Sequence, residues 1–162
     1  MPTLRRLKDK EARTIVREFV QRFPNSERTL KSAKVYDELV IQEGVTFFVD
    51  GKPVILRTER GLFPSLKFDE LIQSLPKVVV DMGAVAHIAN GAHLMRPGIR
   101  SFGGDFAKGE LLVIVDEKYG KPIAIGIADI DSASMKSMTK GKVIENVHYV
   151  GDAVWKSFVA VG

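Results

Sequence analysis

The sequence of 162 residues contains no cysteine, which excludes disulfide bridges, zinc–thiolate sites and thiol-based catalysis. Its longest apolar runs are short, such as the segment at residues 111–115, far below the roughly 20 residues that a membrane-spanning helix needs. Charged residues interrupt positions 1–13, where a secretory signal peptide carries an apolar segment. We therefore expect a soluble, cytoplasmic protein of a reducing compartment that has no membrane partner.

Histidine is scarce as well, and the three residues His87, His93 and His148 are the candidates for acid–base catalysis near neutral pH. His87 and His93 lack the spacing of a zinc-binding helix motif, and no third ligand accompanies them. The sequence also has no serine-nucleophile elbow and no phosphate-binding glycine loop. Asp81 could serve as a catalytic acid, but its position before a predicted helix favours capping. We expect no catalytic residue, no metal and no cofactor.

A basic segment at the start of the chain dominates the charge distribution. Residues 1–34 hold ten Lys and Arg and four Asp and Glu, a net charge of +6, which leaves −2 for the remainder of a chain whose net charge is +4. Helical spacing of apolar residues predicts an amphipathic helix over residues 7–23. Lys10, Arg13 and Arg17 lie on one face of it. This face indicates either an anionic partner, with nucleic acid the commonest, or a solvated helix surface.

The apolar periodicity changes after this helix. Three segments rich in Val, Ile and Phe are predicted strands: residues 35–42, 45–49 and 53–58. A helix is predicted at residues 68–75, and Pro76 separates it from a fresh apolar strand. We therefore predict an α+β chain with a small N-terminal α+β domain at residues 1–76 and a second domain at residues 77–162.

The second domain is predicted to be mostly β structure. Its predicted strands are residues 78–80, 110–115, 123–130 and 143–150. Many short strands, two brief helices and frequent glycine are typical of a small closed β-barrel with helices at its ends. Trp155, near the end of the sequence, is interpreted as a core residue and not as a stacking platform for a ligand.

The segment Gly91–Gly98, with the sequence GAHLMRPG, is the best candidate for a binding site. Asp81 is a suitable N-cap for the short helix that precedes it, and Asn90–Gly91 is a natural helix end. Pro97–Gly98 predicts a type II turn. The proline biases Arg96 toward extended geometry, so we expect its guanidinium to project outward and to contact a phosphate with two parallel hydrogen bonds.

This segment resembles the PUA domain, the RNA-binding module named after pseudouridine synthases and archaeosine transglycosylases. The likeness continues in KGKVIENVHY at residues 140–149. Together with VDMGA at residues 80–84 and GLFPSL at residues 61–66, it is similar to the malignant T-cell-amplified sequence family, whose members join an N-terminal domain to a PUA domain. The resemblance implies a PUA-type β pseudo-barrel at residues 77–162.

The resemblance also implies an RNA-binding groove between the first helix, the second strand and the last strand of the barrel. The candidate RNA-binding residues in this groove are Gly91, His93, Met95, Arg96, Pro97, Gly98, His148 and Tyr149. The basic helix face adds Lys10, Arg13 and Arg17 as phosphate contacts that carry no base preference. Leu94 and Val147 are expected to fill the barrel core.

Two classes of function remain open on the sequence. The resemblance implies a non-catalytic RNA-binding translation factor that acts on the small ribosomal subunit and on the 3′ acceptor end of tRNA, in initiation, reinitiation or recycling. The partners of such a factor are the tRNA acceptor end and ribosomal RNA. The resemblance also allows a translation-factor protein as a further partner. The alternative is an RNA- or nucleotide-modifying enzyme, or its targeting subunit, built on a PUA-like barrel.

Overall fold

The computed structural model describes residues 2–161 and divides them into two compact units. The first unit contains the residues up to Gln73 together with those from Ala153 onward, and the second unit is Ser74–Asp152. The chain is α+β, with helices and short strands in both units, so the predicted fold class is confirmed.

The predicted N-terminal helix is present as α1, Asp9–Arg22. Its first turn is closed by the backbone N–H of Lys8, which donates to Oε1 of Glu11 at 3.0 Å. The buried side chains recur at helical spacing and end in Phe19, which is fully buried. Pro24 cannot continue the helix, so a 3₁₀ turn follows, and then the short helix α2, Glu27–Lys31.

An antiparallel sheet of five strands forms the other part of the first unit. Its strands, in both chain order and sheet order, are β1 (Arg5–Arg6), β2 (Tyr36–Ile41), β3 (Gly44–Val49), β4 (Lys52–Thr58) and β5 (Gly61–Pro64). The three predicted strands therefore exist. The sequence pattern predicted an irregular segment where β5 lies, but in the structure this segment pairs with β4. The helix α3, Asp69–Ser74, follows close to its predicted place.

The last helix, α6 (Ala153–Val161), packs on this first sheet. Val154 and Phe158 share a core cluster with Leu39, Phe48 and Leu56, and the half-buried Trp155 packs against the same cluster. The expected core role of the tryptophan fits this position. The predicted division assigned α6 to the second domain, whereas the structure groups it with the first unit. That each unit folds independently stays a prediction.

The second unit is a curled sheet of six strands that forms a half-barrel, whereas the sequence pattern predicted a small closed β-barrel. Its elements in chain order are β6 (Lys77–Val80), α4 (Met82–Ile88), β7 (Leu94–Met95), β8 (Ile99–Gly103), β9 (Leu111–Asp116), β10 (Pro122–Ala128), α5 (Ser132–Ser137) and β11 (Lys142–Tyr149). The strand order is β7-β11-β10-β9-β6-β8, antiparallel throughout except for the parallel β6–β9 pair. Strand β8 was not predicted.

A buried carboxylate organises the turn between β9 and β10. The side chain of Asp116 accepts hydrogen bonds from the backbone N–H of Tyr119 and, at 3.1 Å, from that of Lys121. These amide hydrogen bonds, with that of Tyr119 the largest effect, lower the pKa of Asp116 below its ordinary value. The turn is therefore stabilised by the ionised form of one side chain.

We expect the substitution Asp116→Asn to destabilise the protein by roughly 1.5–3 kcal/mol at pH 7, the contribution of a hydrogen bond to a charged group. The pKa of Asp116 in the folded state lies below its value in the unfolded state, which is near 4. The carboxylate therefore contributes its full stabilisation above about pH 4, and this stabilisation disappears as the pH falls through the folded-state pKa. Urea unfolding at a series of pH values measures the difference. The control is Asp105→Asn, whose side chain is 94% exposed. If the difference in stability between wild type and Asp116→Asn is the same at neutral and at strongly acidic pH, the ionised form of Asp116 does not stabilise the turn.

Candidate nucleic-acid interface

Asp81 connects the start of α4 to the turn that faces it. Its Oδ1 accepts from the backbone N–H of Ala84 at 2.7 Å, which is the predicted N-cap, and its own N–H donates to the carbonyl oxygen of Gly98 at 3.0 Å. The turn is a 3₁₀ turn over Arg96–Gly98 and not the predicted type II turn. Gly98 is needed because a Cβ there would lie 2.8 Å from the Cβ of Ala84. The helix and the turn are thus held in close contact.

The end of α4 is organised around Gly91, which has a φ of 88° in the left-handed region. Its N–H donates to the carbonyl oxygen of Ile88 at 3.0 Å. A Cβ at Gly91 would lie 3.0 Å from the hydroxyl oxygen of Tyr149. The sequence made Gly91 a candidate RNA-binding residue, but the space beside it is occupied by the ring of Tyr149.

Asn146 on β11 fixes the loop between α4 and β7. Its side-chain amide donates to the carbonyl oxygens of Ile88 at 3.2 Å and Ala92 at 3.1 Å, and its backbone N–H donates to Nδ1 of His93 at 3.0 Å. Since Nδ1 of His93 accepts, the ring proton lies on Nε2. Sequence reasoning missed Asn146, although an asparagine inside a strand is unusual and is a usable signal.

A groove of about 570 Å³ lies between α4, the 3₁₀ turn and β7. We call it the PUA-unit groove, and its lining residues are Asp81, Ala84, His87, Ile88, Ala92, His93, Leu94, Met95, Pro97, Gly98 and Lys142. Four predicted site residues therefore come together in it: His93, Met95, Pro97 and Gly98. Asp81, His87 and Lys142 are additional lining residues, which were not assigned to the site from the sequence.

Apolar surface makes up most of the PUA-unit groove. Leu94 is buried in the core as expected, whereas Val147, also expected in the core, is only half-buried. Met95 is 51% exposed and lines the groove. The charged groups of the lining are one carboxylate, Asp81, and one ammonium, Lys142, whose Nζ lies 3.5 Å from a carboxylate oxygen of Asp129. Such a surface is suited to the faces of nucleobases more than to a row of phosphates.

Arg96 does not project outward as the sequence predicted. Its Nε donates to the carbonyl oxygen of Met135 at 2.8 Å, and Nη1 and Nη2 donate to those of Ile99 at 3.3 Å and Lys136 at 3.4 Å. The guanidinium carbon also lies 5.5 Å from the ring centroid of Phe102. The carbonyl groups at the end of α5 attract the cation, so Arg96 joins the turn to that helix.

The predicted contact by His148 is wrong as a surface contact, because the residue is only 1% exposed. Its Nδ1 lies 2.9 Å from Oδ2 of Asp152, and the same oxygen accepts from the backbone N–H of Tyr149 at 3.0 Å. Successive side chains of a strand point to opposite faces of the sheet, and at position 148 of β11 the side chain points inward. Tyr149 is half-buried and packs against the barrel core and Gly91.

The basic face of α1 belongs to the first unit. Lys10, Arg13 and Arg17 are exposed, as predicted, but they do not line one depression. Arg13 and Arg17 line a groove beside α2, and Lys10 lines a smaller depression near Glu38 and Arg57. That these three side chains contact RNA phosphates stays a prediction.

Within residues 2–161, no three His, Asp or Glu side chains lie close enough together to hold a metal ion. The helices of that part of the chain are too short or too polar for a membrane crossing.

One family model and several relatives match this chain. The PUA domain model matches residues 76–150. An uncharacterised protein of Methanocaldococcus jannaschii is 34% identical, covering 92% of this chain and 93% of its own length. Translation machinery-associated protein 20 of Saccharomyces cerevisiae is 31% identical over 93% and 90%. Malignant T-cell-amplified sequence 1 of Rattus norvegicus is 30% identical over 66% and 62%.

Two solved structures align with this chain over nearly its full length. A hypothetical protein from Pyrococcus horikoshii OT3 aligns with a TM-score of 0.74 at 28% identity, covering 96% of this chain and 99% of that one. A conserved PUA-domain protein from Thermoplasma acidophilum aligns with a TM-score of 0.72 at 26% identity and the same two coverages. With the sequence relatives, these matches show that the chain belongs to the PUA-domain family that includes Translation machinery-associated protein 20 and the malignant T-cell-amplified sequence proteins.

Proposed function

We propose that this protein is a non-catalytic RNA-binding factor of the translation machinery that binds the unpaired 3′ end of tRNA on the small ribosomal subunit. Two findings support the broader, translation-associated RNA-binding role. The chain contains a PUA domain, and relatives across nearly its whole length are named for the translation machinery. The tRNA end and the ribosomal subunit are the finer part of the proposal.

The observation that carries the proposal is the apolar lining of the PUA-unit groove. Met95 and Pro97 present exposed apolar surface there, and His93 presents its Nε2–H because its Nδ1 is already an acceptor. Single-stranded RNA is bound through splayed bases that lie on such surfaces and hydrogen-bond at their edges. Lys142 supplies a positive charge beside the groove for a phosphate.

The other predicted residues do not line the groove, but their contacts hold its surrounding elements in position. Arg96 holds the turn against α5, and Tyr149 fills the space beside Gly91. His148 and Asp152 fix the end of β11 from the interior. We therefore assign Gly91, Arg96, His148 and Tyr149 as positioning residues, and His93, Met95, Pro97 and Gly98 as residues that line the RNA-binding surface.

A titration of the full chain against labelled RNA tests this function. The RNA is an acceptor-stem hairpin, prepared with and without its unpaired 3′ nucleotides, and fluorescence anisotropy reports binding. We expect the hairpin with the unpaired end to bind at least about tenfold more tightly. Each stacked base contributes about 1–3 kcal/mol, and 1.4 kcal/mol corresponds to a factor of ten. Co-sedimentation with purified small ribosomal subunits tests the second half of the proposal.

Equal affinity for both hairpins contradicts recognition of the 3′ end. Absence of the protein from the small-subunit pellet contradicts ribosome association, even where the free RNA is bound. The recovered hairpin is also analysed by mass spectrometry. A covalent change in the RNA after incubation with cofactor-containing extract and this protein, absent without the protein, supports the alternative of a modifying enzyme or its targeting subunit.

A further inference from the structure

The apolar lining of the PUA-unit groove contains a carboxylate, that of Asp81. An ionised carboxylate only accepts hydrogen bonds, and it repels the phosphates of a bound RNA. The cation of the same lining does not neutralise it, since Nζ of Lys142 lies 3.5 Å from a carboxylate oxygen of Asp129. Capping of α4 does not require the charge either, because asparagine and serine cap a helix about as well as aspartate. The charge of Asp81 therefore needs a separate explanation.

The two carboxylate oxygens of Asp81 differ in their contacts. Oδ1 accepts from the backbone N–H of Ala84 at 2.7 Å and so caps α4. Oδ2 accepts no hydrogen bond and forms no ion pair among the residues that the structure describes. The backbone N–H of the same residue donates to the carbonyl oxygen of Gly98 at 3.0 Å, which fixes its position. One oxygen is thus occupied by the cap, and the other is available to a ligand in the groove.

A hydrogen-bond donor borders the same groove on another element. Asp81 lies at the start of α4, whereas His93 immediately precedes β7. Because Nδ1 of His93 accepts from the backbone N–H of Asn146, its Nε2–H is the donor. The edge of cytosine or adenine offers an amino group to an acceptor and a ring nitrogen to a donor. Uracil carries an oxygen in place of the amino group, and this oxygen is repelled by a carboxylate.

We infer that Asp81 selects the base in the PUA-unit groove: Oδ2 accepts from the amino group of cytosine or adenine and disfavours uracil. The inference rests on the proposed function, because it needs an unpaired RNA end in this groove. Asp81 is then a specificity-determining residue, and Nε2–H of His93 donates to the ring nitrogen of the selected base. The repulsion of phosphates by the carboxylate is offset for amino-bearing bases alone.

The test titrates the full chain with acceptor-stem hairpins that share one stem. One hairpin has no unpaired nucleotides, and the others end in three unpaired cytidines, adenosines or uridines. Cytosine and uracil have rings of the same size, so comparing them removes differences in stacking area. We expect the cytidine hairpin to bind at least about tenfold more tightly than the uridine hairpin. A hydrogen bond to a charged acceptor is replaced in the uridine complex by a contact between two acceptors.

Asp81→Asn separates base selection from capping. The N–H of Ala84 needs an acceptor, so the amide oxygen takes the cap and the NH₂ group takes the place of Oδ2. We expect cytidine to bind more weakly than to wild type and uridine at least as tightly, which brings the two affinities within about twofold. Asp81→Ser also caps α4 but has no amide or carboxylate, and it is expected to lose the preference too. The matched control, Asp105→Asn, removes the same charge from a side chain that is 94% exposed and is expected to keep the preference.

Three outcomes overturn this inference alone. Wild type binds the cytidine and uridine hairpins equally, or both variants at position 81 keep the wild-type preference. In the third, the two variants weaken both hairpins by the same factor, which assigns Asp81 to capping only. In each case the proposed function stands if the hairpin without unpaired nucleotides binds more weakly than the others. If that hairpin binds as tightly as they do, the proposed function fails and the inference fails with it.

Discussion

Replacing Met95 with glutamate is expected to weaken binding of the acceptor-stem RNA with an unpaired 3′ end by at least about tenfold. Met95 is about half exposed in the PUA-unit groove, where its side chain offers an apolar surface to a base. The substitution removes a stacking surface worth about 1–3 kcal/mol and places a carboxylate next to RNA. Anisotropy titrations of the full-length variant measure the change, at two salt concentrations because charge contributes.

The matched control is Met82→Glu. Met82 is also an exposed methionine, 43% accessible, but it lies in the first turn of α4 and does not line the PUA-unit groove. A glutamate in the first turn of a helix is tolerated because it faces the positive end of the helix dipole. We expect this variant to bind within about twofold of wild type. If both variants lose affinity equally, the loss reflects net charge and the groove is not the binding surface.

Arg96→Ala is expected to lower the stability of the free protein by roughly 2–4 kcal/mol. The side chain donates three hydrogen bonds to backbone carbonyls and lies against Phe102. A hydrogen bond from a charged group contributes about 1.5–3 kcal/mol and a cation–π contact about 0.5–1 kcal/mol. For a chain of this size, each kcal/mol lowers the melting temperature by about 2–4 °C. Differential scanning calorimetry without RNA measures it.

The same experiment distinguishes positioning from direct contact. If Arg96 holds the turn, both Arg96→Ala and Arg96→Lys melt at a lower temperature without RNA, since lysine cannot reach three carbonyls with a planar fork. If Arg96 instead contacts a phosphate, the melting temperature stays at the wild-type value and only RNA affinity falls. Unchanged melting of both variants therefore contradicts the positioning role.

Local patterns in the sequence predicted most of the fold correctly. The stripe of α1, the strands β2 to β4 and the cap at Asp81 depend on neighbours in sequence, and each is present. Strands β5 and β8 were missed because they are recognised mainly by their pairing with β4 and β6. A short segment carries little sequence pattern that would reveal its pairing with a distant strand.

The sequence pointed to a segment that borders a groove, but it did not predict the directions of the side chains there. The segment Gly91–Gly98 does border a groove, yet the directions of Arg96 and His148 depend on tertiary partners. Arg96 meets carbonyls of α5, 39 and 40 residues later in the chain. His148 turns inward because of strand phase and the carboxylate of Asp152. The sequence shows which residues belong to a candidate site. The directions of their side chains depend on contacts with residues that are distant in the sequence.

The return of α6 to the first sheet has a consequence for how the protein is made. Leu39, Phe48 and Leu56 are synthesised early, but Val154 and Phe158, which cover them, leave the ribosome more than 90 residues later. The first unit is therefore discontinuous, and its apolar sheet surface stays open while the whole of Ser74–Asp152 is translated. An exposed apolar face on a nascent chain favours aggregation or chaperone binding. The intervening unit has all its strands before α6 emerges, so we expect it to acquire native structure first and the earlier-synthesised sheet to be completed last.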